Sequence, residues 1–62
     1  MRKLYTIKGE NQTIRVFILN KSTRELIKSG EIKRGFVVVQ DFNTGETKIV
    51  KRSKLIFDQE YN

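Results

Sequence analysis

Apolar residues arrive along the chain in short clusters separated by polar breaks, and the spacing inside each cluster names an element. Residues 2–8 alternate: Leu4 and Thr6 fall on one side and Tyr5 and Ile7 on the other, which predicts a strand. The polar run Gly9-Glu10-Asn11-Gln12 reads as a turn, and residues 13 to about 20 read as a second strand, so the two are expected to pair as an antiparallel hairpin. Asn20-Lys21-Ser22 interrupts the pattern. Ser22, with Glu25 beyond it, has the spacing of a capping box, and Gly30 stands where a helix C-cap belongs. One or two helical turns over residues 23–29 follow, too short to stand alone and so docked on the sheet through Leu26 and Ile27. An irregular loop is the alternative for this segment.

The second half holds the clearest pattern. Phe36-Val37-Val38-Val39-Gln40-Asp41 is answered by Thr47-Lys48-Ile49-Val50-Lys51-Arg52, with Phe42-Asn43-Thr44-Gly45-Glu46 between them. A glycine at the end of such a loop suits a type I turn followed by a left-handed residue, the three-residue connection with a G1 bulge. Pairing Phe42 with Glu46 sets Val39 opposite Ile49, Val38 opposite Val50 and Phe36 opposite Arg52. On that register Phe36, Val38 and Val50 share one face, and Val37, Val39 and Ile49 share the other. A hairpin apolar on both faces has to be covered on both. Ser53-Lys54-Leu55-Ile56-Phe57 supplies a short closing strand or turn, while residues 58–62 are polar and expected to fray.

These elements, in 62 residues without proline, repeat or linker, describe a single domain over residues 1–62. The expected fold is mainly β: a small, bent antiparallel barrel of the SH3-like kind with one short helical connection. An open ββαββ sheet, completed by a homodimer, is the alternative. The stretch GFVVVQDFNTGETKIVKRSKL, residues 35–55, resembles the central strands and final turn of SH3-like barrels, among them the KOW and Tudor-type modules of transcription and translation proteins. It lacks the paired glycines that precede the hairpin in KOW modules. The absence of Pro, His, Trp and Cys beside abundant Lys, Ile and Asn resembles the composition of small bacteriophage or AT-rich bacterial proteins.

A chain this short buries only about 60% of the surface its unfolded form exposes, and many such domains add a disulfide or a metal. With no cysteine and no histidine, neither a disulfide nor a zinc site of the usual kind is available. The longest apolar runs, residues 16–19 and 36–39, are far too short to span a bilayer, and no signal-like stretch opens the chain. The expectation is a soluble, cytoplasmic protein with no membrane partner and no cofactor.

Charge changes the picture most. Thirteen Lys and Arg against seven Asp and Glu give a net charge of +6, a field that attracts polyanions. The same charge also serves solubility in a thin-cored domain. Catalysis is not expected: no histidine is present for acid–base or nucleophilic chemistry, and the carboxylates Glu10, Glu25, Glu31, Asp41 and Glu46 are scattered. Lys48, Lys51, Arg52 and Lys54 crowd the end of the last hairpin strand, and Lys33 and Arg34 enter its partner. These six residues are the expected nucleic-acid-binding set, docking phosphates of DNA or RNA with little sequence specificity. Phe42, at the hairpin tip, is either a stacking or partner-anchor residue or a ring folded back over the sheet. The competing reading is a protein-interaction module, such as a phage-encoded effector that docks on an acidic surface of a host protein. A monomer goes with the barrel and a homodimer with the open sheet.

Overall fold

The computed structural model describes residues 2–9 and 11–61; Met1, Glu10 and Asn62 lie outside them. The elements follow as β1 (Arg2–Lys8), β2 (Thr13–Ile18), α1 (Asn20–Lys28), β3 (Phe36–Asp41), β4 (Thr47–Lys51), a 3-10 turn (Arg52–Lys54) and β5 (Ile56–Tyr61). All strand pairs are antiparallel, in one five-stranded sheet of order β4-β3-β2-β1-β5. The fold is therefore mainly β with one short helix, as the hydrophobic pattern implies. β1 and β2 form the expected hairpin, with Tyr5 opposite Val16 and Ile7 opposite Ile14. In its turn the Gly9 N–H donates to the Gln12 carbonyl at 2.7 Å; Glu10, part of the same predicted turn, falls outside the described residues.

The helix starts earlier than its capping signal. Leu19 occupies the N-cap position without a side-chain cap, so the Ser22–Glu25 box is not formed. The reason is the neighbouring strand. Where β2 stops, α1 takes over its place along β3: the Leu19 N–H donates to the Val38 carbonyl at 2.8 Å, and the Val38 N–H donates to Thr23 Oγ1 at 2.9 Å. The same hydroxyl donates to the Leu19 carbonyl at 2.8 Å. Thr23 is buried, so removing its oxygen would strand a buried N–H at a cost of about 1–3 kcal/mol. The other end of α1 matches expectation. Gly30 has φ of 82°, its N–H donates to Ile27 and the Glu31 N–H donates to Leu26, the two bonds of a Schellman motif.

The second hairpin forms in a register one residue away from the one expected. Val37 faces Val50, Val38 faces Ile49, and Phe36 faces Lys51 rather than Arg52. Asp41 is the cause. Its carboxylate accepts from the Asn43 N–H at 2.7 Å and the Thr44 N–H at 3.0 Å, an Asx turn that starts the reversal before Phe42. The loop then holds four residues, closed by the Asp41 N–H donating to the Glu46 carbonyl, with Gly45 left-handed at φ 80°. A slip of one residue moves every β4 side chain to the opposite face. Val50 thereby joins Val37 and Val39 on the core side, while Ile49 is left 53% exposed.

The core is the cluster of Val16, Val37 and Val39, with Tyr5, Ile7, Ile14, Ile18, Val50 and Leu55 packed against it. Leu55 reaches this face because the chain must travel from β4 at one edge to β5 at the other. A flat five-stranded sheet would separate those edges by about 19 Å. The link from Lys51 to Ile56 runs through the 3-10 turn, and at the rises of a 3-10 turn and an extended chain it reaches only about 13 Å. The sheet is therefore curled around the valine cluster. It stops short of a closed barrel: no ladder joins β4 to β5 among the described residues, and both keep a free edge.

Residues 58–61 do not fray. They belong to β5, which pairs with β1 from Arg2–Tyr61 to Thr6–Ile56 with a register shift between Leu4 and Tyr5. The unpaired backbone groups on the outer side of β1 supply the pairing, whatever the polarity of the side chains.

Candidate nucleic-acid interface

Antiparallel pairing decides which charges meet. Leu4 opposite Phe17 puts the start of β1 beside the end of β2, Ile18 opposite Val39 sets that end against the middle of β3, and Phe36 opposite Lys51, three residues further along, marks the end of β4. Arg34, Lys51 and Arg52 lie at this end of the sheet, and Arg2 and Lys3 approach Arg52 from β1. Two hollows open there, each of about 430 Å³. Arg2, Lys3, Asn20 and Arg52 surround the first, over Tyr5 and Phe17. Arg34, Lys51 and Arg52 surround the second, beside Phe36 and Ser53. Arg52 borders both.

Local structure fixes these positions. The Arg52 N–H donates to the Gly35 carbonyl at 2.8 Å, and the Arg52 carbonyl accepts from the Leu55 N–H at 3.0 Å, so the 3-10 turn is tied to the start of β3. The Arg2 guanidinium lies 3.8 Å from the centroid of the Phe17 ring, a cation–π contact that settles its direction. On the exposed side of α1, Lys21, Arg24 and Lys28 recur at helical spacing and extend the basic surface, interrupted by Glu25.

Carboxylates are placed elsewhere. Asp41 and Glu46 close the hairpin at the opposite end of the sheet, and Asp58 lies 3.8 Å from Arg15, the one ion pair among the described residues. Glu60, opposite Lys3 on β5, and Glu25 on α1 are exceptions. Asp41 has its pKa held below the ordinary 3.8, first by the Thr44 backbone N–H, then by that of Asn43, with Lys48 adding a smaller attraction.

Of the six cations expected from the sequence, Arg34, Lys51 and Arg52 converge at the hollows. Lys33 and Lys54 flank them, in the loop before β3 and at the end of the 3-10 turn, without lining either one. Lys48 does not join them. It pairs with Val39 near the Asp41 turn, about 10 Å along the strand from Lys51. Arg2 and Lys3 were not part of the expected set. They reach the site through the pairing of β1 with β2, and nothing local to residues 33–54 announces them.

Phe42 is not a free anchor at the hairpin tip. Its N–H donates to the Arg15 carbonyl at 2.8 Å, and its half-buried ring meets Phe17 and Tyr61 edge-on at 5.6 and 5.2 Å. The exposed large apolar side chains are Ile49, Ile56, Phe57 and Tyr61. No cluster of three or more potential metal-ligating side chains is found among the described residues, and no helix there is long and apolar enough to cross a membrane. Comparison of the chain with protein-family models, curated proteins and solved structures finds no match.

Proposed function

We propose that the chain is a nucleic-acid-binding module of low sequence specificity, engaging the phosphate backbone with the sheet end that carries Arg2, Lys3, Arg34, Lys51 and Arg52. The observation that supports this reading is the segregation of charge: five cations border two adjoining hollows while Asp41 and Glu46 sit at the opposite end. Lys and Arg on a rigid sheet end recognise the repeating charge of the backbone and carry no direct reading of bases. Lys33, Lys54 and the α1 stripe add longer-range attraction that steers the encounter.

Fluorescence anisotropy with short single- and double-stranded DNA and RNA tests the reading. Binding is expected with a Kd of roughly 1–100 μM near physiological salt, and log K should fall steeply and linearly with log salt. Arg52→Ala is expected to weaken every nucleic acid alike and reduce the slope by about 0.9, whereas Lys48→Ala should change neither. If no binding is detected at low salt, the proposal fails. In that case a partner retained from nuclease-treated lysate would point instead to docking on an acidic protein surface.

A further inference from the structure

The curled sheet ends in two free edges of opposite character. β4 exposes Thr47, Lys48, Ile49 and Lys51 and carries no carboxylate. β5 is exposed along its whole length, with Asp58 and Glu60 between Ile56, Phe57 and Tyr61, and carries no cation. Each edge also displays apolar surface: Ile49 on β4 is 53% exposed, and Ile56 and Phe57 on β5 are 52% and 53% exposed. An open edge with apolar side chains is a template for pairing with another strand.

We infer that the partner of these edges is a second copy of the chain, with β4 of one molecule laid against β5 of the next. Charge selects this arrangement over the others. Pairing β4 with β4 lays two strands that carry only lysine charges side by side at one strand spacing, about 4.8 Å, and pairing β5 with β5 does the same with two strands that carry only carboxylates. Only the unlike pairing brings the β4 lysines, one on each face of the sheet, alongside the β5 carboxylates and sets the exposed Ile49 beside the edge that carries Ile56 and Phe57. The Arg15–Asp58 contact at 3.8 Å is long and solvent-exposed, so it competes weakly for Asp58. The interface is head-to-tail, not two-fold, and propagates into a ring or a filament according to the angle between neighbours. This inference does not rest on the nucleic-acid reading, but it shares Lys51 with it and gives Lys48 a role away from the phosphate-binding end.

Sedimentation and light scattering on the full chain, free of nucleic acid and carried from micromolar to millimolar concentration, test it. The mass of the wild type should rise with concentration beyond that of a monomer, and amide resonances should broaden selectively in β4 and β5. Two charge-reversed variants, Lys48→Glu with Lys51→Glu and Asp58→Lys with Glu60→Lys, should each associate at least about tenfold more weakly. Their equimolar mixture should associate again, in alternation. A wild type that stays monomeric at millimolar concentration overturns the inference. So does selective broadening that leaves β4 or β5 untouched, or a mixture of two folded variants that remains monomeric. Should a variant fail to fold, the wild-type mass and the map of broadened amides decide alone.

Discussion

The two faces of the sheet are both apolar, yet they are sealed by different means. On one face, aliphatic side chains pack around Val16, Val37 and Val39, and the chain crosses over them with Leu55 as it passes from β4 to β5. On the other, Leu4, Phe17 and Val38 are buried where no strand crosses, and the rings of Phe17, Phe42 and Tyr61 close on one another at 5.2–5.8 Å with Arg2 over Phe17. A domain this small has no second layer to spend on each face. A valine-centred cluster that Leu55 joins seals one of them, and aromatic rings seal the other.

Truncation should separate the two faces. Val39 is fully buried, so Val39→Ala leaves a cavity that the surrounding strands cannot fill, and a loss of about 2–3 kcal/mol is expected in denaturant unfolding. For 62 residues the whole stability is about 3–9 kcal/mol, so this one change brings the fold near its limit. Phe42→Ala opens a half-buried cluster to water and should cost less, about 1–2 kcal/mol, with a change in tyrosine fluorescence as Tyr61 loses its neighbour. Equal losses at Val39 and Phe42 would mean that the aromatic face is as dense as the aliphatic one. The smallest effect is expected at the turn that sets which β4 side chains belong to which face. Because the Asp41 pKa is lowered on folding, its contribution is complete above 3.8 and is lost as pH falls through the lower, folded value. Asp41→Asn keeps an acceptor for the turn but cannot titrate, so unfolding midpoints followed below pH 4 should fall less steeply in the variant than in the wild type.

Much of the fold was legible in the sequence. Alternation marked β1, the valine run marked β3, and Gly30 marked the end of α1 by its left-handed conformation. The errors fell where a local signal met a competing one. Gly45 suggested a three-residue loop, but the Asx turn of Asp41 moved the reversal by one position and with it the faces of β4. Ser22 and Glu25 carried a capping pattern, but the backbone of Val38 drew the helix start back to Asn20. β5 gave no hydrophobic alternation because all six of its residues are exposed; backbone pairing with β1 forms it, and side-chain polarity does not report that. The basic site was readable around residues 33–54, where the cations are neighbours in sequence or across one hairpin. Its Arg2 and Lys3 share was hidden, since only the pairing of distant strands brings them to Arg52.

The pairing of Arg2 with Tyr61 has a kinetic consequence. Contacts this far apart in sequence close a long loop, and loop closure is what slows the folding of β proteins. The two hairpins need only local reversals and can form early, whereas β5 has to wait for β1 to be in place. β5 is then the last strand to dock, and until it does, β1 presents a bare edge to any other strand in its surroundings.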